Sequence, residues 1–350
     1  QDLPDKESAT MFFQDCKLAH QAQITGINYS VKEILPPDLL DLTQLQKEAN
    51  IRYGYTASEV YDIAQSLYEK KLISYPRTSS RYLTEDVFDS LSPIMARLLS
   101  WELFPAAKGT AGIDISSLSR HVISAEKANV HHAIIITGIR PGNLSEKEMQ
   151  VYRLVAGRML EAFMAPCRIE TTNIEAVCAA QHFKAEQTRI IEAGWHDVFM
   201  RSDMLPTSGY SVKELPEVEK GDPLNVCGCN MVHKKQLPVN PFTDAELVEY
   251  MELNGLGTVS SRTNIIRTLV NRKYIRYSGK YIVPTPKGMF TYETIRGKKI
   301  ADTSLTADWE KQLAGLESGM ITGQDFLNRI RTLAKEMTDD IFNTYSTKEE

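Results

Sequence analysis

Long hydrophobic runs are missing from this chain of 350 residues, and no apolar stretch is long enough to cross a bilayer. The first residues, QDLPDKESATMFF, lack the basic and apolar regions of a secretory signal. They also lack an initiator Met, so we expect a piece of a longer protein. The five cysteines are an odd number without framework spacing. These absences predict a cytoplasmic protein without a membrane partner.

A metal site is not expected from the cysteines. Cys227 and Cys229 form a C-x-C with His233 nearby, but there is no second cysteine pair to complete a zinc site. We interpret the two cysteines as same-face residues of a strand.

Acidic residues are scarce in one part of an otherwise acidic chain. The formal net charge is −5, which argues weakly against a nucleic-acid partner. Residues 257–300, however, contain ten Lys or Arg and one acid, Glu293. This basic segment favours a polyanion partner, and the alternative is an ordinary solvated surface.

The periodicity of apolar residues predicts a multi-domain α+β protein. Residues 21–35 alternate like a strand, and residues 169–237 alternate like an antiparallel sheet region. Breaks in the sheet region are expected at Gly194 and Gly209. Residues between the two β segments are mostly helical in pattern, with an interruption at Pro93 and a loop over 106–125. We therefore predict one β domain built from residues 1–36 and 169–237. A helical domain over 37–168 interrupts it, and a further domain follows over 238–350.

A helix-turn-helix pattern occurs twice, over residues 41–78 and 243–288. In the first, Thr56 and Glu59 form a capping box ahead of a helix that leads into extended ISYPRT. In the second, two helices precede a basic hairpin with a turn near Ser278 and Gly279. Both regions are therefore predicted to be winged-helix-like.

Tyr75 and Arg77 stand on either side of Pro76, directly after a helix. Proline favours extended backbone, in which residues two apart point to the same side. A phenol and a guanidinium would then be presented together, and the cation could stabilise a phenolate or contact a phosphate. A tyrosine that only packs is the alternative interpretation.

Two adjacent histidines, His131 and His132, precede an apolar run, AIII. Either imidazole could protonate or hydrogen-bond a phosphate oxygen. One packed and one solvated histidine is the structural alternative.

These segments together resemble a known family. LQKEANIRYGYTASEVYDIAQSLYEKKLISYPRTSSRYL is similar to the active-site segment of type IA DNA topoisomerases, nearest to their topoisomerase III branch. HHAIIITG looks like that branch's HHAIIPTG. The pieces EAGWHDVF, PFTDAELVEYMELNGLGTVSSR, VPTPKG and LTADWEKQLAGLESG follow in the family's order.

The resemblance implies a DNA strand-cleaving and strand-passing enzyme within a toroidal fold. Tyr75 would attack single-stranded DNA, keep its 5′ phosphate in a covalent link and later reseal it without ATP. Arg77 would stabilise the charge at phosphorus, and His131 would bind the scissile region or assist proton movement. The β segments would be the hinge of the toroid, and 238–350 part of its DNA-holding base.

The resemblance also implies which residues contact DNA. The sequence departs from the family pattern at three positions. The DNA contacts would be Thr78, Ser79, Arg81, His132, Ser260, Arg262 and Arg267. Ser79 replaces the family's Asp, Ile136 replaces a Pro, and Val259 replaces another Pro. These changes indicate a divergent member with altered or weak activity.

The family's TOPRIM domain, with its Mg²⁺-binding D-x-D-x-E cluster, is not recognisable, and no D-x-D occurs in the chain. Mg²⁺ would therefore be held by a TOPRIM domain of the full-length enzyme and not by this chain. We expect a monomer that is nucleoid-associated, binds single-stranded DNA weakly and does not relax supercoils by itself.

Three alternatives remain at the level of sequence. A non-catalytic DNA-binding module with two winged-helix units would be indifferent to Tyr75→Phe. A tyrosine recombinase would place its tyrosine after the histidine and arginine, whereas Tyr75 precedes His131, and H-x-x-R is absent. A structural adaptor would use YPRTSS only as a turn.

Overall fold

A computed structural model describes residues 5–101, 103–104, 120–128, 131–199, 215–232 and 240–346. Two compact units are built from interleaved segments of the chain. The sheet unit takes residues 1–37, 102–121 and 160–238, and the helical unit takes 38–101, 122–159 and 239–350. The predicted α+β class with an antiparallel sheet is confirmed. No helix among the described residues is long and apolar enough to cross a membrane.

The sheet unit contains a four-stranded antiparallel sheet in the order β3-β2-β1-β4. Its strands are β1 (Gln21–Ile34), β2 (Cys167–Cys178), β3 (Gln181–Glu192) and β4 (Pro223–Asn225). The pairing of β1 with β2 runs from Gln23 opposite Val177 to Ile34 opposite Cys167. The strand predicted over 21–35 and the strands predicted within 169–237 therefore pair in one sheet.

Two further elements complete the sheet unit. Helix α1 (Lys6–Leu18) was not predicted, although the Asp5 carboxylate caps it by accepting from Ser8 N at 2.7 Å. A 3₁₀ turn over Gly194–Val198 buries Trp195, whose indole donates to the Ile34 carbonyl at 2.9 Å. Gly194 has a φ of 52°, and a Cβ there would lie 2.3 Å from the Pro166 carbonyl oxygen. The predicted break at Gly194 is confirmed, and the one at Gly209 lies outside the described residues.

The helical unit is dominated by helices with one small hairpin. Its elements are α2 (Leu42–Tyr53), α3 (Ala57–Glu69), α4 (Glu85–Asp89), α5 (Leu91–Ser100), α6 (Ala125–Ala128), α7 (Glu146–Phe163, whose last residues fall in the sheet unit), α8 (Asp244–Leu253), α9 (Val259–Asn271), β5 (Ile275–Ser278), β6 (Tyr281–Pro284), α10 (Pro286–Ile295), α11 (Thr303–Glu317) and α12 (Gly323–Ser346).

Helices α2 and α3 form the first predicted pair. Gly54 ends α2 with a φ of 71°, a left-handed conformation that glycine adopts without strain. The capping box of Thr56 and Glu59 is present at the start of α3. The apolar spacing of α3 predicts a buried stripe of Val60, Ile63, Ala64 and Leu67, and all of these are buried except Ile63, which is half-buried.

The second predicted helix pair consists of α8 and α9, and the β5–β6 hairpin follows it. A capping box of Thr243 and Glu246 starts α8. The hairpin pairs Ser278 with Tyr281 around a two-residue turn, where Gly279 has a φ of 60°. Its core joins Val248, Met251, Ile266 and Ile282 to Ala57 of α3.

The helices that follow residues 71–83, which we call the tyrosine segment, divide at a different place from the one predicted. The sequence indicated an interruption at Pro93, but α4 and α5 divide at Ser90. Pro93 lies in the first turn of α5, where a missing N–H costs no helical hydrogen bond. Of the predicted loop over 106–125, only 120–125 falls among the described residues, and Ala125 already begins α6.

Candidate active site on the tyrosine segment

The tyrosine segment leaves α3 through a left-handed turn and is then held by the AIII run. Lys71 has a φ of 59°, and the Leu72 N–H donates to the Leu67 carbonyl at 2.9 Å. Ile73 forms an antiparallel bridge with Ile136, and Ser74 N donates to Ile135 O at 2.8 Å. These bonds fix the backbone immediately before Tyr75.

The Tyr75 ring lies between two aromatic groups. It meets Tyr68 of α3 edge-on, with ring centroids 5.4 Å apart, and its centroid is 4.5 Å from that of His131. Within the described residues the Tyr75 hydroxyl makes no hydrogen bond. The side chain is half-buried, so the phenol is packed through its ring while its oxygen stays available.

Arg77 lies on the same face of α3 as Tyr75. Its guanidinium is 5.1 Å from the centre of the Tyr61 ring, and Nη2 donates to Gln65 Oε1 at 3.2 Å. Tyr61, Gln65 and Tyr68 are spaced four and three residues apart, so they share one helix face. Tyr75 and Arg77 therefore both pack against this face of α3, Tyr75 through Tyr68 and Arg77 through Tyr61.

The guanidinium of Arg77 keeps spare hydrogen-bonding capacity. Among the described residues it has no carboxylate partner, and its buried Nε has no hydrogen-bond acceptor. A cation held by a neutral amide and an aromatic ring retains donors that an anion could occupy.

His131 reaches Tyr75 because Thr78 anchors its backbone. The Thr78 hydroxyl donates to the His131 carbonyl at 2.8 Å and accepts from Ser80 N at 3.0 Å. The His131 side chain is exposed, whereas His132 Nδ1 lies 2.7 Å from the Ala133 carbonyl. The two histidines thus have different environments, and only His131 packs against the phenol.

Arg81 and Ser79 differ in their contacts and in their exposure to solvent. Arg81 Nε donates to the Asp41 carboxylate at 2.6 Å, and Asp41 is buried and also caps α2 through Gln44 N. Burial opposes the charge of Arg81, but Asp41 outweighs it and raises the arginine's pKa. Arg81 therefore ties the tyrosine segment to α2, whereas Ser79 is exposed.

Ser260, Arg262 and Arg267 lie on α9 and are not gathered around Tyr75. Arg262 is buried, with Nη1 3.4 Å from both Thr43 Oγ1 and Glu252 Oε1. Arg267 donates to Ser58 and to both carboxylate oxygens of Asp62, at 3.0 and 2.8 Å. Ser260 is half-exposed, its Oγ 3.2 Å from that of Thr258.

The α3 residues Tyr61, Gln65 and Tyr68 were not predicted as part of the site. Their spacing was visible in the sequence, next to the buried stripe of α3. A polar-aromatic stripe beside a buried one predicts a helix face that receives another segment.

No metal centre is formed by the part of the chain that the structure describes. No group of three or more His, Cys, Asp or Glu in the described ranges is arranged to hold an ion. His233 lies outside those ranges. The residues in hand do not fit a Mg²⁺ site, and we derive no chemical step through a metal.

Comparison with known proteins identifies the family of the chain. A family model described as DNA topoisomerase matches residues 1–328. DNA topoisomerase 3 of Bacillus licheniformis is 31% identical over 344 residues, which covers 91% of this chain and 47% of that protein. DNA topoisomerase 3 of Bacillus subtilis is 29% identical over 352 residues, covering 93% and 48%. The chain thus spans about half the length of the curated relatives it matches.

The fold also has a solved counterpart. Full-length topoisomerase I from Thermotoga maritima superimposes with a TM-score of 0.74 at 22% identity, covering 96% of this chain and 56% of that one. At this identity the likeness shows the fold alone.

Proposed function

Since the chain belongs to the DNA topoisomerase family, in its type IA, topoisomerase III-like branch, we propose that Tyr75 is the nucleophile that cleaves single-stranded DNA. The observation that carries this proposal is the packing of Tyr75. Its hydroxyl has no bond within the described residues, its ring meets His131, and Arg77 lies on the same helix face.

The proposed reaction is a reversible transesterification. The Tyr75 oxygen bonds to phosphorus and loses its proton, the P–O3′ bond breaks, and the 3′ oxygen takes a proton. The products are a 5′-phosphotyrosine and a free 3′ hydroxyl. The reverse attack reseals the strand, and no ATP is required because the covalent link conserves the phosphodiester.

Arg77 and His131 have distinct proposed roles. Arg77 donates to the phosphoryl oxygens, whose charge rises in the transition state, through Nη1, which makes no hydrogen bond among the described residues. His131, exposed beside the phenol, holds the scissile phosphate or moves a proton.

The other proposed DNA-binding residues differ in their exposure and in the partners they already have. Ser79, His132 and Ser260 are exposed or half-exposed and can meet a strand directly. Thr78 and Arg81 act by holding the segment in place. Arg262 and Arg267 would have to leave the partners described above before they could reach a phosphate.

A complete cycle requires more than this chain. We propose that a TOPRIM domain supplies the acid–base partner of Tyr75 and the ligands for Mg²⁺. A second strand then passes through the break, with the sheet unit as hinge and residues 238–350 in a winged-helix-like base. The predicted boundaries at 36, 168 and 237, a monomeric state and a nucleoid location belong to the same proposal.

The test is a covalent adduct with labelled single-stranded DNA. The chain is mixed with Mg²⁺, with and without a TOPRIM domain from a related enzyme, and Tyr75→Phe is the matched control. A denaturation-resistant adduct that needs both TOPRIM and the Tyr75 hydroxyl supports the proposal. An adduct that persists in Tyr75→Phe, or relaxation of supercoils by the chain alone, contradicts it.

A further inference from the structure

A group of exposed cations surrounds the β5–β6 hairpin, away from the tyrosine segment. Arg272 and Lys273 follow the end of α9, Arg276 lies on β5, Lys280 lies in the turn, and Lys287 lies in the first turn of α10. We call these five residues the hairpin patch. They belong to the basic segment that the sequence singled out, yet none is among the predicted DNA-binding residues.

The hairpin patch is not neutralised by the protein. Within the described ranges none of its members pairs with a carboxylate, whereas nearby Arg296 and Lys299 pair with Glu293 and Glu336.

The nearest acid does not change this. Lys280 lies near enough to Glu246 to help lower its pKa, after the main effect of the Thr243 backbone N–H. That carboxylate accepts from Thr243 N at 2.7 Å and caps α8, so it is committed to the helix.

Backbone contacts hold the hairpin patch together. The Thr285 hydroxyl donates to the Lys273 carbonyl at 2.6 Å, and the Lys287 ammonium donates to the Arg272 carbonyl at 2.9 Å. Gly288 permits this close approach, since a Cβ there would lie 2.0 Å from the Tyr274 carbonyl oxygen. Like charges are therefore brought together by the fold, at an electrostatic cost that an anionic ligand would relieve.

The hairpin patch is distinct from the Tyr75 site. The hairpin packs against the first turn of α3, since Ile282 shares a core with Ala57. Tyr75 packs against Tyr68 in the last turn of α3. Eleven helical residues separate Ala57 from Tyr68, which corresponds to about 16 Å along the axis.

We propose that the hairpin patch binds the sugar-phosphate backbone of duplex DNA. Lys273 and Lys280 flank the four-residue strand β5, whose length of about 13 Å is similar to the ~12 Å width of the major groove. Cations at both ends could therefore meet phosphates of both strands.

The aromatic rings beside the hairpin patch also favour a duplex over a single strand. Single-strand sites stack bases on open aromatic faces. Here Lys287 covers the Tyr274 ring at 4.6 Å, and Lys280 covers the Tyr281 ring at 5.3 Å. One face of each ring therefore carries a lysine ammonium and is not open to a base. This inference rests on the proposed function only for naming DNA as the polyanion.

The test compares two variants of the whole chain with the same change in charge. The patch variant carries Arg272→Gln, Lys273→Gln, Arg276→Gln and Lys280→Gln. The control variant carries Lys6→Gln, Lys17→Gln, Lys32→Gln and Lys220→Gln, all exposed residues of the sheet unit. Binding to a short blunt duplex and to its single strand is measured by fluorescence anisotropy across a salt titration, and thermal unfolding checks the fold.

We expect the patch variant to lose duplex affinity on the order of tenfold or more, and its log–log salt slope to fall by about 3.6, one phosphate per lost cation. The control variant should keep the wild-type slope. Equal losses in both variants, an unchanged patch variant, or a greater loss for the single strand would each overturn the inference. None of these outcomes depends on Tyr75, so adduct formation tests the proposed function separately.

Discussion

At the scale of single residues, the position of His131 depends on one buried hydroxyl. Thr78 is 3% exposed, and its oxygen bonds both the His131 carbonyl and Ser80 N. We expect Thr78→Val to lower the free energy of unfolding by about 2 kcal/mol, because two buried backbone groups lose their partner. Urea unfolding measures the change.

Thr78→Ser is the matched control for that substitution. It keeps the hydroxyl and removes only a methyl group, so its effect should be clearly smaller than that of Val. If Val is no less stable than Ser, the two hydrogen bonds of the hydroxyl contribute no more than the methyl group, which contradicts the expectation. In the adduct assay, Ser should likewise retain more cleavage than Val if His131 takes part.

Part of the site could be predicted because it depends on neighbours in sequence. The packing of Tyr75 and Arg77 against α3 involves segments that adjoin in sequence, although the backbone bends at Pro76 where extended backbone was predicted. The contact between Tyr75 and His131 could not be predicted from the residues, because it requires the bridge between Ile73 and Ile136. The burial of Arg262 was equally inaccessible, since its partners Thr43 and Glu252 come from α2 and α8.

At the scale of elements, the two helix pairs repeat one design residue by residue. Thr56 and Thr258 precede α3 and α9, and Lys71 and Lys273 follow them, each pair 202 residues apart. Both lysines have a positive φ, 59° and 60°. The capping box of Thr56 and Glu59 made the start of α3 predictable, because capping depends on residues only a few positions apart.

The same offset relates Tyr75 to Tyr277, with opposite outcomes. The Tyr277 hydroxyl donates to the buried Asp244 carboxylate at 2.5 Å, and burial followed by this bond raises the tyrosine's pKa. The Tyr75 hydroxyl has no such partner in the described part of the chain. Within the described residues the repeat thus engages the hydroxyl of Tyr277 and leaves that of Tyr75 without a hydrogen-bond partner.

The left-handed turn after α3 gives a prediction about stability. We expect Lys71→Gly to be more stable than Lys71→Ala by about 1 kcal/mol, because only glycine avoids the cost of a positive φ. In ordinary helical positions the order of these two residues is reversed. Thermal unfolding of the two variants decides the sign, and a more stable alanine variant would refute the turn geometry.

The contact between α7 and α3 gives a prediction about pH. The pKa of Glu148 is lowered to about 2, first by Lys70, then by the Ser66 hydroxyl and Ser145 N. A lowered pKa adds stability above the ordinary value of 4.5, and this contribution is lost as the pH falls toward 2. Wild type should therefore exceed Glu148→Gln in stability at pH ~7 and lose that advantage progressively below pH ~4.5.

Urea unfolding at neutral pH and near pH ~3.5 checks this difference. Glu126→Gln is a suitable control, because the Glu126 carboxylate makes no hydrogen bond within the described residues. It should follow wild type at both pH values. A constant gap between wild type and Glu148→Gln would show that the carboxylate charge is irrelevant to the α3–α7 contact.

At the scale of the whole molecule, residues far apart in sequence meet through polar contacts inside the helical unit. Gln46 of α2 is 2% exposed, and its amide donates to the Ala57 carbonyl and to Thr263 Oγ1, both at 2.9 Å. Its neighbour Lys47 pairs with Glu249 at 2.6 Å, about one-third exposed. These polar contacts accompany the apolar core around Ala57, which also joins the two helix pairs.

These adjacent residues make the contribution of burial measurable. We expect Gln46→Ala to destabilise the chain by about 2 kcal/mol, because Thr263 and the Ala57 carbonyl lose their partner away from water. Lys47→Ala should cost less than about 1 kcal/mol, since an exposed ion pair gains little over hydration. Urea unfolding of both variants measures the contrast, and equal costs would contradict it. If the contrast holds, the buried hydrogen bonds of Gln46 contribute more to the contact between the two helix pairs than the exposed ion pair of Lys47 does.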